Sequence, residues 1–421
     1  MPRAAVTALV VAMVASAAGV LLPRGWFGRI AGALWMPLAF AVVIYGAHAV
    51  LTGPPAFERV DLPTAWRVSS ALTIALAITS LTRRPLLGRV HVPLLLTAFV
   101  VTGVWLLVRA PAPAIDVIEF QHEGYRALLA GSSPYSTTIP NLYEGREKDF
   151  YGPNLVADGR VQVGYPYPAV NLLLAWPAHL AGDYRYALVV AIALAAGLIA
   201  YTHDGRGARL GAAMLLTWPT AFYVCLMGWT DPFVAAALAG VIFCAVRARG
   251  ALPYVLGLFL ATKQYAVLAL PIVVWLYRPS ADAWAQARRA ITTAVIVAAA
   301  IILPFAVFDP KGFIDSVVLF QLRQPFRGDA LSVLVKIPDG RDLGSTLCLI
   351  GTLAALGACV WRSPRGAAGF AGSLAFIFVM FFGFAKQAFW NYYLVAFTAM
   401  ACAIGAFGAR SEKLGSPLMK T

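Results

Sequence analysis

Charge is scarce in this sequence: only 12% of its 421 residues are Asp, Glu, Lys or Arg, while 60% are hydrophobic. A soluble core does not need that much apolar surface, which argues against a water-soluble globular chain. Cysteine is scarcer still. Cys225, Cys244, Cys348, Cys359 and Cys402 all lie in apolar stretches, their number is odd, and no Cys-x-x-Cys pair occurs. That excludes a disulfide framework and the spacing of a zinc site, and leaves packing as their role. Also missing is an internal repeat of fixed period, which a transporter built from paired halves is expected to show. Gly and Pro are scattered rather than pooled into linkers, so the chain reads as a single domain over residues 1–421.

What is abundant is apolar length. Windows of roughly 17 to 25 apolar residues, enough to span a bilayer, recur at 27–51, 91–109, 209–225, 344–361 and 389–407. The chain is expected to be an all-α polytopic membrane protein with about 12–13 transmembrane helices. The first four are placed near 4–22, 27–51, 66–82 and 91–109. Residues 1–22 contain an "ASAAG" that resembles a signal-peptide cleavage site. Cleavage there would reverse the side of every later loop, so the segment is kept as a helix.

The net charge of +14 is a topology signal rather than a nucleic-acid footprint. When the loops are assigned to alternating sides, one set carries 17 of the 33 cations but only Asp204, Asp282 and Glu412 among the acids. That set includes Arg83, Arg84, Arg206, Arg209, Arg247, Arg288, Arg289, Arg362 and Arg365. The other side is neutral. Positive charge marks the cytosolic side, which puts residues 110–165 and 309–343 on the external face of a plasma membrane.

Residues 110–165 form the longest polar segment, and a loop of that length in a compact protein is usually functional or disordered. It opens with "AIDVIEFQHEGYRALLAG" (114–131), where Asp116, Glu119 and Glu123 share one face of a helix over about 116–130. Residues 166–182 are apolar but contain Pro166, Pro168 and Pro177, and are read as a re-entrant segment. Spans follow near 185–201, 209–225 and 230–246, then a short hairpin over 251–262 and 264–277 with Lys263 and Gln264 at its turn, and a span near 290–308.

On this topology Asp116, Glu119, Lys263, Arg323, Gln324, Arg327, Asp329, Lys386 and Gln387 all meet the external leaflet. Arg and Lys hold phosphate, and a carboxylate takes a proton from a hydroxyl nucleophile. Together they suit transfer of a sugar from a lipid phosphate to an acceptor hydroxyl. No Asp-x-Asp stands near the first acidic motif, so the reaction is expected to need no metal and no cofactor. Each residue has a plainer use as well. Asp116 with Glu119 fits the pattern of a helix start, and Asp231 precedes Pro232 as a cap would. Arg323 and Arg327 suit lipid headgroups. Tyr165, Tyr167, Trp390, Tyr392 and Tyr393 fit an interfacial aromatic belt first and a sugar-stacking surface second. His122 is expected at the surface beside the acidic face, with a substrate or proton contact as its functional reading.

The order "IDVIEF", "GYRALLAGSSPY", "YPYPAVNLLLAWP", "GWTD" and "LGLFLATKQYAVLALP" resembles the GT-C superfamily of membrane glycosyltransferases. Over residues 110–280 it is most similar to glycosyltransferase family 87, the polyprenol-phosphate-mannose-dependent mannosyltransferases. The resemblance implies a GT-C-like fold, inversion at the anomeric carbon, Asp116 rather than Glu119 as base, and Lys263 as a phosphate contact. It also implies a polyprenyl-phosphate sugar donor and a lipid-linked or glycan acceptor. The chain departs from the family's pattern at Trp229, where a Gly-Gln step is common, and at Ala169, where a second proline is common. The alternative of a different class is a polytopic transporter or lipid flippase without transferase activity.

Overall fold

The computed structural model describes Met13 and residues 64–79, 87–110, 112–218, 220–277, 280–337 and 340–407. The helices expected near 4–22 and 27–51 lie outside these residues. The described residues are mostly helical, and among them four helices are long and apolar enough to cross a membrane: Gly88–Arg109, Ala283–Phe308, Asp342–Arg362 and Trp390–Phe407. A fifth crossing is made if the pair Val170–Leu180 and Arg185–Ala200, bent by 112°, counts as one broken span. The bend fits the re-entrant reading of 166–182. Pro177 lies in the last turns of the first helix of that pair, and Gly182, at φ +106°, stands at the break.

The α-helices are numbered in chain order: α1 (Thr64–Thr79), α2 (His91–Arg109), α3 (Asp116–Leu129), α4 (Glu147–Phe150), α5 (Val170–Leu180), α6 (Arg185–Ala200), α7 (Arg206–Leu216), α8 (Ala221–Leu226), α9 (Asp231–Arg247), α10 (Leu252–Thr262), α11 (Ala283–Phe308), α12 (Pro310–Phe313), α13 (Phe320–Arg323), α14 (Gly340–Arg362), α15 (Ala367–Gly383) and α16 (Trp390–Phe407). The expected span over 209–225 is two helices, α7 and α8, separated at Thr217 and Trp218. The second arm of the expected hairpin is a 3₁₀ helix over Gln264–Leu276 with Pro271 inside it. Pro271 has no N–H to donate to an α-helical bond at its own position. The expected loop over 309–343 is largely helical, running through α12, a π-helical stretch at Ile314–Leu319 and α13.

Helix α9 is the axis of the packing. It is buried along nearly its whole length and contacts α6, α10, α15 and α16. Its small residues Ala235, Ala237, Ala239 and Gly240 allow close approach, which drives helix association where lipid gives little hydrophobic contrast. Gly257 serves the same end in α10: a Cβ there would sit 2.6 Å from the carbonyl oxygen of Ala294 on α11. Helix α11 itself is peripheral, with Val295, Ile296, Leu303, Val307 and Phe308 exposed. So long an apolar outer face is what a lipid-facing helix presents.

Residues 112–165 are ordered. Helix α3 spans Asp116–Leu129, one residue short of expectation. Beyond it lies a small antiparallel sheet, absent from the sequence reading, in the order Ile139–Pro140 (β1), Arg160–Val161 (β3), Val156–Ala157 (β2). Asp158 and Gly159 turn between β2 and β3 with positive φ. The segment is fastened to residues 309–316. Ser136 donates to Asp309 Oδ2, and Ser316 Oγ accepts the N–H of Gly164 and donates to the carbonyl of Tyr135.

Candidate functional site

The two polar segments and the start of α16 enclose a cavity of about 400 Å³. Asp116, Tyr167, Gln324, Arg327, Asp329 and Gln387, all marked in the sequence, line it. So do Tyr143 and Phe150 from the loop, Tyr223 and Trp229 near the start of α9, and Trp390, Asn391 and Tyr392 of α16. Aromatic walls with amides and a carboxylate match the faces and hydroxyls of a carbohydrate.

Asp116 sits at the first position of α3, after the extended residue Ile115. Its Oδ1 accepts from the N–H of Val117 at 2.8 Å. The expected capping pattern is absent, because Ile115 holds the cap position. Removal from water pushes the carboxyl up to about 6, outweighing the Val117 N–H and the charge of Arg327, which both pull it down. A carboxylate tuned near neutral pH is suited to accept a proton.

Arg327 faces the same cavity. Its guanidinium lies 3.9 Å from the ring centre of Phe150 and 5.2 Å from that of Phe389. Its Nε and Nη2 donate to the two oxygens of Asp329 at 2.8 and 2.7 Å. Backbone bonds from Arg327 N–H to Lys386 C=O (3.1 Å) and from Leu331 N–H to Ala388 C=O (2.7 Å) fix this strand of chain against the one before α16.

The structure gathers Lys263 and Asp231 elsewhere. Both are buried behind Tyr167, with Lys263 Nζ 3.5 Å from Asp231 Oδ2 and 3.7 Å from the Tyr167 ring centre. Asp231 does not cap α9. Its carboxylate accepts instead from Tyr265 Oη and Asn391 Nδ2, each at 2.7 Å. Neither Lys263 nor Asp231 lines the cavity, but Tyr167, which Lys263 faces, and Asn391, which donates to Asp231, both do.

The remaining candidates brace the surroundings. Gln264 donates to the carbonyls of Pro166 and Val317, and Gln387 to that of Pro325, so the glutamines of both Lys-Gln steps tie one segment to another. Lys386 Nζ caps the carbonyl of Leu322 at 2.7 Å. Tyr165 is fully buried and accepts from Gln121 Nε2 at 2.8 Å. His122 lies edge-on to Tyr184. Glu123 pairs with Arg126 at 2.6 Å. Glu119 is half-buried and Arg323 exposed, neither on the cavity wall. Among the described residues no three His, Cys, Asp or Glu side chains converge as a metal site would need. Four cysteines are buried and Cys348 is half-buried.

The sequence reading missed Tyr143, Phe150 and Asn391, none of which carried a signal of its own, whereas it places Asp329 with Arg327 at the external face. No family model, curated protein or solved structure matches the chain.

Proposed function

We propose that the protein is an inverting glycosyltransferase of GT-C-like architecture. It moves a hexose, mannose by the family resemblance, from a polyprenyl-phosphate donor to a lipid-linked or glycan hydroxyl. The cavity then opens to the external side of the membrane. The observation that carries this reading is the meeting of Asp116 and Arg327 in one aromatic-walled cavity.

In this reaction the acceptor oxygen forms a bond to the anomeric carbon from one face while the bond to the phosphate oxygen breaks on the other. Asp116 takes the proton of the acceptor hydroxyl, and the electron pair of the broken bond leaves with the phosphate. Arg327 has Nη1 unpartnered among the described residues and is the group positioned to meet that charge. One oriented donor of this kind is worth roughly 3 to 4 kcal/mol in the transition state. The rings of Tyr167, Trp229 and Trp390 supply stacking surfaces for the sugars.

The test is transfer of radiolabelled mannose from polyprenyl-phosphate-mannose into lipid extract by membranes carrying the wild type or Asp116→Asn at equal protein. Transfer by the wild type alone supports the reading. Absence of transfer from a whole panel of polyprenyl-phosphate sugars overturns it and leaves a transporter or flippase.

A further inference from the structure

The least expected pairing in the cavity is Arg327 with Asp329 rather than with Asp116. Two carboxylates share a cavity with one guanidinium, and the fork is committed to Asp329 through both Nε and Nη2. Arg327 is nearly buried between Phe150 and Phe389, whereas most of the Asp329 side chain is exposed. Arg327 is thus held at the cavity wall, and the carboxylate it pairs with decides which way its charge acts within the cavity.

We infer that Asp329 is a positioning residue that withholds Arg327 from Asp116 and so keeps Asp116 available as a base. The inference rests on the transferase reading for its purpose, but the electrostatics it describes are testable without turnover. Were Asp329 neutral, Asp116, whose carboxyl already feels the charge of Arg327, would be the carboxylate left on the cavity wall among the described residues. Asp116 would then be held ionised and its proton affinity lost. With Asp329 in place the guanidinium is satisfied on one edge and presents Nη1 on the other.

Among the described residues, Arg146 also stacks on Phe150, 5.1 Å from its ring centre, but pairs with Asp149, and no other charged group does this work. The phenols of Tyr143 and Tyr151 from the loop, of Tyr167 ahead of α5 and of Tyr392 on α16 surround it. Phenols are neutral far above the pH at which a carboxyl titrates. Asp231 and Lys263 lie behind Tyr167 and offset each other. Glu119 and His122 lie one and two turns along the same helix.

Dicyclohexylcarbodiimide adds to protonated carboxyls in apolar surroundings, so the labelling of the Asp116 peptide, read by mass spectrometry against pH, reports its titration directly. In the purified full-length protein the midpoint is expected at about 6. In Asp329→Asn it is expected to fall by about one unit or more, the size of shift a direct Arg contact gives. Arg327→Met is expected to move it the other way, and Asp329→Glu to restore the wild-type value. An unchanged or raised midpoint in Asp329→Asn, with size-exclusion and circular dichroism profiles like the wild type, overturns the inference. Should that variant not fold, Asp329→Ser is read by the same criterion. Shifted labelling in a protein that transfers no sugar from the whole donor panel would sink the transferase reading and leave the hold of Asp329 on Arg327 standing.

Discussion

At the scale of the residue, Asp116 shows how environment selects among similar groups. Asp116, Glu119 and Glu123 share one helix face, yet only Asp116 enters the cavity, while Glu123 is taken by Arg126. Asp116→Asn is expected to lower transfer by about 10²- to 10⁴-fold, the usual worth of a general base. Because the base form accumulates as pH rises, the acid limb of wild-type activity is expected near pH 6. The same raised carboxyl makes the folded state bind more protons than the unfolded chain between about pH 4 and 6, so stability falls as pH rises through that window. Asp116→Asn is therefore expected to raise the melting temperature in detergent at pH 7.5, with the gain vanishing below about pH 4. Lys263 and Asp231 are a second residue-level case. Removing one partner of a buried pair strands the other's charge at a cost of about 3–5 kcal/mol. Lys263→Met is expected to lower thermal stability strongly, and adding Asp231→Asn is expected to recover part of it.

At the scale of the element, the turn before α9 sets the cavity's inner wall. Gly228 has φ +71°, and a Cβ there would meet Tyr184 Oη at 2.1 Å and Ile118 Cγ1 at 2.9 Å. Tyr184 also donates to the Gly228 carbonyl at 2.9 Å, so the turn, α6 and α3 are locked together. A left-handed conformation costs a non-glycine residue about 1–2 kcal/mol before any clash. Gly228→Ala is expected to reduce thermal stability and, by displacing Trp229, to raise KM more than Asp116→Asn does. The Gly-Trp-Thr-Asp step was visible in the sequence as a departure from a family pattern. Its role as a hinge of the wall was not, because Tyr184 and Ile118 come from distant parts of the chain.

At the scale of the whole molecule, the charge asymmetry becomes a statement about sidedness. Asp158 lies at an exposed turn of the ordered loop and Arg249 at an exposed turn after α9. A single cysteine at position 158 is expected to react with a membrane-impermeant maleimide in intact cells, and one at position 249 only after permeabilisation. The reverse pattern would invert the topology and place the cavity in the cytosol. The apolar windows foretold α2, α6, α9, α14 and α16 to within a few residues, because membrane-spanning length is written directly in composition. They failed over 209–225, where the break after Leu216 interrupts a run that hydropathy alone reads as continuous; over 264–277 the expected arm is present, as a 3₁₀ helix over Gln264–Leu276.

The sequence by itself determined a helical chain with apolar elements of membrane-spanning length, a charge bias between its loops, and an acidic helix at 116–129. These depend on local composition and periodicity, which need no knowledge of neighbours. Tertiary structure alone decided which charges meet. It sent Lys263 to Asp231 and Arg327 to Asp329, left Asp116 without a direct cationic partner among the described residues, and turned the glutamines of both Lys-Gln steps into braces. Pairing between residues separated by tens to hundreds of positions follows from how helices pack, and a one-dimensional pattern of charge does not encode it.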